Sequence, residues 1–269
     1  EAITHRAWDG EWFVRAFDDE GIPWGSASND ECQIDAIAQS WAAMATPEPD
    51  TRVRTAMASA QRRLIDPANR LVKLLDPPFS KTPRDPGYIK AYPPGVRENG
   101  GQYTHAATWM GHALAALGDG DKAWQVFDLI NPIRRVTDAK AAAHYLREPY
   151  VLAGDVSGAE PGAGQGGWSW YTGAAGWTWQ LAVEAILGIR MSAGAITVKP
   201  CMPREWGCAN VTISGPSGTI HITIEDPDHA GSGVRDVRVD GDPCDVRERI
   251  EFPGAGETRN VIVTLGAAA

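Results

Sequence analysis

The sequence predicts a mixed α+β protein, with a helical region followed by a smaller all-β region. Two patterns carry this prediction. Up to about residue 190, apolar residues recur at helical spacing in several segments. After Arg190 they alternate with polar residues at the period of two that marks strands. We therefore predict a helical domain over 1–192 and a β-sandwich domain over 193–269.

The first predicted helix shows the helical period clearly, since Ile34, Ile37, Ala38 and Trp41 fall on one face. The Ser, Asn and Asp at 28–30 precede it and are good capping residues. The predicted helices are 33–45, 51–64, 103–117, 121–130, 138–146 and 172–188.

Long connections rich in Gly and Pro, at 76–101 and 154–167, separate the predicted helices. Loops of this length in a compact domain commonly carry function. Helices paired as hairpins suit either a bundle or a toroid, and these make about half of a closed toroid of six hairpins. We therefore expect the chain to be the C-terminal portion of a larger catalytic unit.

The β region has short alternating segments at a spacing typical of a sandwich. The predicted strands are 196–199, 211–213, 220–224, 234–239 and 261–265. Asp240-Gly241 is a turn signal that follows the fourth of them.

Composition excludes several functional classes. The 25 basic and 34 acidic residues give a net charge of −9, which argues against nucleic acid or an anionic membrane surface as a partner. No apolar run reaches the roughly 18 residues that a membrane-spanning helix needs.

The four cysteines form no CxxC pair and are expected to be buried thiols, with a Cys201–Cys208 disulfide left open. Half of the aromatic residues are Trp, 11 against 6 Tyr and 5 Phe, and indoles stack well on sugar rings.

Four polar or aromatic clusters are candidates for chemistry. Residues 8–19 hold acids that are either catalytic or merely solvated around packed aromatics. Residues 147–155 form a polar knot, in which Glu148 either supports a site or belongs to a surface ion pair. The sequence lacks GxxxxGK[ST], GxGxxG before a helix, HExxH and GxSxG, which argues against nucleotide, zinc-protease and α/β-hydrolase chemistry.

The two remaining clusters suit an anionic or sugar ligand. Arg97 and Glu98 stand on a loop before a helix, where carboxylate and guanidinium groups can bind sugar hydroxyls. His105 and Thr172 each lie at a predicted helix start, where free N–H groups favour an anion. Taken alone, a histidine at a helix start is structural more often than not, and a threonine there is more often an ordinary cap. Trp168 and Trp170, with Trp109, are expected near the site, and the expected core members are Trp8, Trp12, Trp41 and Trp124.

Segments 26–35, 86–90, 94–106 and 167–173 together resemble glycoside hydrolase family 94, the inverting glycoside phosphorylases. The sequences of these motifs most resemble the C-terminal region of cyclic β-1,2-glucan synthases, and β-1,2-oligoglucan phosphorylases are near relatives. The similarity covers most of 7–206 and weakens in the β region. It implies part of a six-hairpin α/α barrel followed by a β-sandwich.

The resemblance also implies roles for individual residues. His105, Thr172 and Gly173 correspond to phosphate-binding positions, and Arg97, Glu98 and Tyr92 to sugar-binding positions. It implies inorganic phosphate as co-substrate, with no metal or organic cofactor, and a β-linked gluco-oligosaccharide as the sugar partner.

The sequence departs from the family in one motif. The family's general acid is an Asp in an Asp-Trp-Asn-Asp-Gly motif, which this sequence lacks. The acid and a phosphate-contacting Arg are therefore expected upstream of residue 1, in a missing N-terminal part. We expect the isolated chain to have no phosphorolysis activity, and the location to be cytoplasmic, including the cytoplasmic face of an inner-membrane protein. A homodimer remains open.

Two other functions remain as alternatives. One is a non-catalytic carbohydrate-binding module, which the Trp-rich clusters and the missing acid favour. The other is an α/α-toroid glycoside hydrolase or lyase that uses Asp9 or Glu98.

Overall fold

A computed structural model describes residues 6–216, 218–245 and 248–266. The chain divides into two compact units, one of Glu1–Leu117 and Gln125–Thr178, the other of Gly118–Trp124 and Trp179–Ala269. The predicted mixture of helices and strands is confirmed. The barrel, the sandwich and the domain boundary after residue 192 remain predictions.

The helices lie close to their predicted positions. They are α1 Ala36–Ala45, α2 Thr51–Leu64, α3 Thr104–Ala116, α4 Gly120–Ile130, α5 Ala139–Tyr145 and α6 Thr172–Gln180. A π-helix over Leu181–Ile186 continues α6, and 3₁₀ turns occupy Gly87–Ala91, Pro132–Arg135 and Arg204–Trp206. In the first unit α1 packs against both α2 and α3.

Pairs of two-residue strands tie the loops of the first unit together. They are β1 Ala16–Phe17 with β2 Pro23–Trp24, β3 Ile34–Asp35 with β6 Leu75–Asp76, β4 Ile65–Asp66 with β5 Leu71–Val72, and β7 Gln102–Tyr103 with β8 Asp155–Val156. Two residues are too few to show a period, so sequence patterns could not reveal them.

The cap predicted for α1 at residues 28–30 is wrong. Asp35 caps this helix, and its carboxylate accepts hydrogen bonds from the N–H groups of Ile37 at 2.8 Å and Ala38 at 3.3 Å. Asp35 is fully buried and also pairs with Arg15. The pairing of β3 with β6 keeps residues 34–35 extended, so the helix begins later than its apolar period suggests.

The described residues of the second unit form two sheets. The five-stranded sheet has the order β11 Cys208–Gly215, β12 Gly218–Glu225, β16 Thr258–Leu265, β13 Val234–Val239 and β14 Asp242–Cys244. The three-stranded sheet has the order β15 Ile250–Glu251, β10 Ala195–Val198 and β9 Ile189–Ser192. All five predicted strands are present, and the last predicted strand pairs in parallel with β12.

One hydrophobic cluster joins side chains from both sheets. On β12 the buried Ile220, Ile222 and Ile224 alternate with polar residues, as a half-buried strand requires. Asp240 and Gly241 have φ values of 53° and 95°, which the turn from β13 to β14 requires.

Two expectations about single residues are wrong. All four cysteines are free, and Cys32 and Cys201 are buried as expected, but Cys208 is exposed. Burial raises the pKa of Cys32 to about 12. Trp41 is 42% exposed rather than a core residue, and its ring packs edge-on against Trp109. Within the described part of the chain, no helix is long and apolar enough to cross a membrane.

Candidate functional site

The loop over residues 92–101 is held in shape from inside. Asn99 is fully buried, and its Oδ1 accepts from the Phe79 N–H at 2.7 Å. Its Nδ2 donates to the carbonyl oxygens of Phe79 at 2.9 Å and Tyr92 at 2.8 Å. Asn99 therefore shapes the loop, and its amide is not available to a ligand.

Arg97 stands at the centre of an aromatic group on this loop. Its guanidinium carbon lies 5.4 Å from the ring centroid of Tyr92, 5.2 Å from Trp168 and 5.9 Å from Tyr171. Its Nε lies 3.4 Å from a carboxylate oxygen of Glu98, and both side chains are about 15% exposed. The structure thus brings together the three predicted sugar-binding residues, Tyr92, Arg97 and Glu98.

Asp155 lies beneath this group and was missing from the predicted site. It is 4% exposed, and its Oδ1 lies 3.9 Å from Nη1 of Arg97 and accepts from the Trp168 N–H at 3.1 Å. Burial raises the pKa of Asp155. A Cβ on Gly167 would stand 2.1 Å from Oδ2, so only glycine allows the loop to close over this carboxylate.

Electrostatics keep Arg97 charged. Burial alone would lower the pKa of Arg97, but a hydrogen bond with Tyr171 and the charges of Asp155 and Glu98 raise it above its ordinary value. A permanently cationic, planar group among aromatic rings can donate several hydrogen bonds to sugar hydroxyls while the rings contact the apolar sugar faces.

His105 occupies the second position of α3, among aromatic rings. Its ring centroid lies 4.8 Å from that of Trp109, 6.0 Å from Trp177 and 6.3 Å from the stacked Tyr103. Its Nε2 is buried and has no hydrogen-bond partner in the described chain. Burial lowers the pKa of His105, so the ring is neutral at neutral pH. The expectation that Trp109 lies near the predicted site residues is confirmed.

The other edge of the His105 ring faces the start of α6. A Cβ built on Gly173 would lie 3.1 Å from Nδ1 of His105 and 3.2 Å from Cε1. Thr172 is the first residue of α6, and both Thr172 and Gly173 are exposed. The structure therefore places the predicted phosphate residues His105 and Gly173 side by side, with the hydroxyl-bearing Thr172 next in the chain.

Tyr103 connects the group of residues around Arg97 with the group around His105. It stacks on His105, and its pKa is raised, mainly by burial and then by the charge of Glu98. The pairing of β7 with β8 sets Tyr103 opposite Asp155. The arrangement offers a hydrogen-bonding, aromatic surface beside a helix start with free N–H groups, which can hold a sugar next to an oxyanion.

Comparison with known proteins decides the family. A sequence model described as Glycosyl hydrolase 94 superfamily, catalytic domain, matches residues 1–188. The chain belongs to the glycosyl hydrolase 94 superfamily. The resemblance drawn from the sequence motifs is confirmed.

Relatives of this superfamily chain are longer proteins. It is 45% identical over 225 residues to "Cyclic beta-(1,2)-glucan synthase NdvB" of Rhizobium meliloti (strain 1021), covering 83% of this chain and 8% of that protein. It is 28% identical over 270 residues to "N,N'-diacetylchitobiose phosphorylase" of Vibrio proteolyticus, covering 99% and 33%. It is 28% identical over 146 residues to "1,2-beta-oligoglucan phosphorylase" of Listeria innocua, covering 49% and 13%. The chain therefore spans a third or less of each.

In this glycosyl hydrolase 94 chain, acids of the two other predicted clusters, 8–19 and 147–155, accept hydrogen bonds from neighbouring residues. The Asp9 carboxylate accepts from the Ser26 hydroxyl at 3.0 Å and the Ala27 N–H at 2.6 Å. Glu148 accepts from Nε1 of the exposed Trp170 at 3.3 Å. Among the residues that the structure describes, no three His, Cys, Asp or Glu side chains converge as a metal site.

Proposed function

We propose that this chain forms part of the active site of a glycoside phosphorylase that cleaves β-1,2-glucan by inverting phosphorolysis. The family and the names of its relatives support the reaction class, and the 45% identity to a cyclic β-1,2-glucan synthase supports the linkage. The proton donor and a further phosphate-binding Arg come from outside residues 1–269, and phosphate is the only co-substrate. The proposed architecture is part of a six-hairpin α/α barrel followed by a β-sandwich, in a cytoplasmic enzyme.

One observation carries the phosphate assignment: a Cβ built on Gly173, at the start of α6, would stand 3.1 Å from Nδ1 of His105, so this ring edge faces the helix start. A phosphate here accepts hydrogen bonds from the imidazole, the Thr172 hydroxyl and the N–H groups of the first helical turn. Burial lowers the pKa of His105 and so favours the neutral ring, which leaves phosphate as an anionic nucleophile. The negative charge of a bound phosphate acts in the opposite direction and favours a proton on the ring.

The sugar sits against Arg97, Glu98 and Tyr92 in this proposal. Glu98 accepts from hydroxyl groups and Arg97 donates to them, while the Tyr92 ring contacts the sugar face. Phosphate attacks the anomeric carbon from the face opposite the glycosidic bond as an external carboxylic acid protonates the leaving oxygen. Phosphate thereby replaces the water of an inverting hydrolase.

Two measurements test the proposal. The purified 269-residue chain should release no glucose 1-phosphate from β-1,2-glucan, and release would contradict the external proton donor. In a longer enzyme that includes the upstream region, His105→Ala should abolish phosphorolysis while the fold, followed by circular dichroism, is retained. An unchanged dependence of the rate on phosphate would overturn the assignment of His105.

A carbohydrate-binding module is the second candidate, and exposed aromatic rings favour it. Trp168, Trp170 and Tyr150 are 64%, 67% and 74% exposed, and Tyr150 packs edge-on against Trp170 at 6.3 Å. Isothermal titration of a β-1,2-gluco-oligosaccharide, with and without phosphate, separates the two functions. Affinity that does not depend on phosphate and that Trp170→Ala abolishes would favour the module.

A further inference from the structure

A basic cavity lies in the first unit. It has a volume of about 450 Å³ and is lined by three arginines, Arg70, Arg134 and Arg135, together with other polar and apolar residues. It shares no lining residue with the groups around Arg97 and His105. No carboxylate is among its lining residues in the described chain.

The carboxylate of Asp128 partly balances this charge. Asp128 accepts from Nη2 of Arg70 at 2.9 Å and from Nε of Arg134 at 2.7 Å. Arg135 has no carboxylate partner among the described residues; it donates to the Arg70 carbonyl oxygen and lies over the Tyr145 ring at 5.4 Å. Two of the three guanidinium groups therefore share the Asp128 carboxylate, and that of Arg135 has no carboxylate partner among the described residues.

Arg135 is the unusual member, because it is 5% exposed. Its Nε and the Nε of Arg70 are both buried, and neither has a hydrogen-bond partner among the residues that the structure describes. Burial, with the neighbouring charge of Arg70, lowers the pKa of Arg135 to about 10. A buried cation without a counter-charge is strongly unfavourable, so a cavity beside it that carries no acid calls for an anion.

We propose that this cavity binds a phosphoryl group, as inorganic phosphate or as the phosphate of a sugar phosphate. Guanidinium forks match the oxygens of phosphate, and three of them around one cavity can contact several oxygens at once. The volume lies within the range of small-molecule sites, so the cavity has room for a sugar beside the phosphoryl group.

Polar residues complete the cavity. Nε2 of His144 donates to the Ala163 carbonyl oxygen at 2.7 Å. Thr137 and Asn69 also line the cavity, and Nδ2 of Asn69 donates to Asp66 at 2.9 Å. These groups suit the hydroxyls of a sugar phosphate more than a bare metal ion or an apolar ligand.

Arginine modification by phenylglyoxal, mapped by peptide mass spectrometry, tests the proposal on the 269-residue chain. Arg134 is 60% exposed and therefore reactive, and Arg62, 61% exposed, is an internal reference outside the cavity. We expect 20 mM inorganic phosphate or glucose 1-phosphate, roughly saturating for a weak site, to slow modification of Arg134 at least about fivefold against chloride at equal ionic strength. Arg62 should not respond.

Three variants make the result specific. His105→Gln removes the phosphate contact of the proposed active site and should leave protection of Arg134 intact, so failure of the two proposals can be distinguished. Arg135→Gln should remove the protection of Arg134. Arg135→Lys keeps the positive charge but not the planar guanidinium, so it should weaken the protection, and it serves as the test if the glutamine variant does not fold.

The two probes identify the source of the phosphoryl group. Stronger protection by glucose 1-phosphate assigns the site to a sugar phosphate, and equal protection assigns it to inorganic phosphate. Equal modification of Arg134 in phosphate, glucose 1-phosphate and chloride would overturn the proposal. Undiminished protection in both Arg135 variants, or complete protection without any added anion, would do the same.

Discussion

Replacing Gly173 by alanine should separate the stability of α6 from anion binding. Gly173 is a helical residue exposed to solvent, and its φ is not in the left-handed region, so alanine fits the backbone. The new methyl carbon would stand 3.1 Å from Nδ1 of His105, close to where a bound phosphate oxygen would accept from that nitrogen. The variant should therefore fold and yet bind phosphate much more weakly beside His105.

The size of each effect follows from the structure. Exchange of glycine for alanine stabilises a helix by roughly 0.5–1 kcal/mol, less the strain of moving His105 by a few tenths of an ångström. Loss of a hydrogen bond to a charged ligand costs about 1.5–3 kcal/mol, which corresponds to a roughly 10- to 100-fold loss of phosphate affinity. Gly176 in the same helix is the matched control, because a Cβ there meets nothing within 4 Å.

Phosphate titration followed by the NMR signals of the His105 imidazole, assigned with the His105→Gln variant, measures the affinity, and urea unfolding measures stability. Gly176→Ala should gain the helix stabilisation and bind phosphate as the parent chain does. Gly173→Ala should lose the titration shift while unfolding at a urea concentration close to that of the control. Equal phosphate affinity in the two alanine variants would refute the placement of phosphate between His105 and α6.

Three further predictions concern stability. Asn99→Ala should lower the free energy of unfolding by about 2–4 kcal/mol in a urea titration, because it leaves buried backbone groups unpaired; a loss below about 1 kcal/mol would contradict the role given to Asn99. Ile222→Ala should cost about 2–5 kcal/mol, whereas Ile262→Ala, 38% exposed on the neighbouring strand, should cost under about 1 kcal/mol; similar losses would show that the core is misassigned. Because burial lowers the pKa of His105, the imidazole takes up a proton at a higher pH in the unfolded chain than in the folded chain. The free energy of unfolding therefore falls as the pH drops from roughly 7 to 5. His105→Gln should flatten that part of the curve of unfolding free energy against pH, and an identical slope would contradict a buried His105.

Local sequence patterns predicted the long elements well. The apolar periods located α2 to the residue and the other helices to within a few residues, except that the last one changes to a π-helix after Gln180. Strict alternation predicted the central strands of the second unit, since each strand buries one face against the shared core. These signals are local, and burial on one face is enough to generate them.

Sequence patterns missed features that depend on pairing across distance. The helix start after Asp35 follows from the pairing of β3 with β6, and the position of Asp155 follows from the pairing of β7 with β8. Asp155 belonged to a polar cluster in the sequence, but nothing local indicated that it lies beneath Arg97. The exposed Trp41 and Cys208 were misplaced because composition gives an average tendency and not the environment of one side chain.

By itself, the sequence determined the family, the order of helices and strands, and the candidate residues, because ordered motifs and apolar periods are written along the chain. Only the tertiary structure decided which of these residues meet. It set Arg97 among Tyr92, Trp168 and Tyr171, turned Nδ1 of His105 toward Gly173, and gathered arginines from separate segments around one cavity. Such contacts depend on the energy of packing and of burying charge, which no stretch of neighbouring residues encodes.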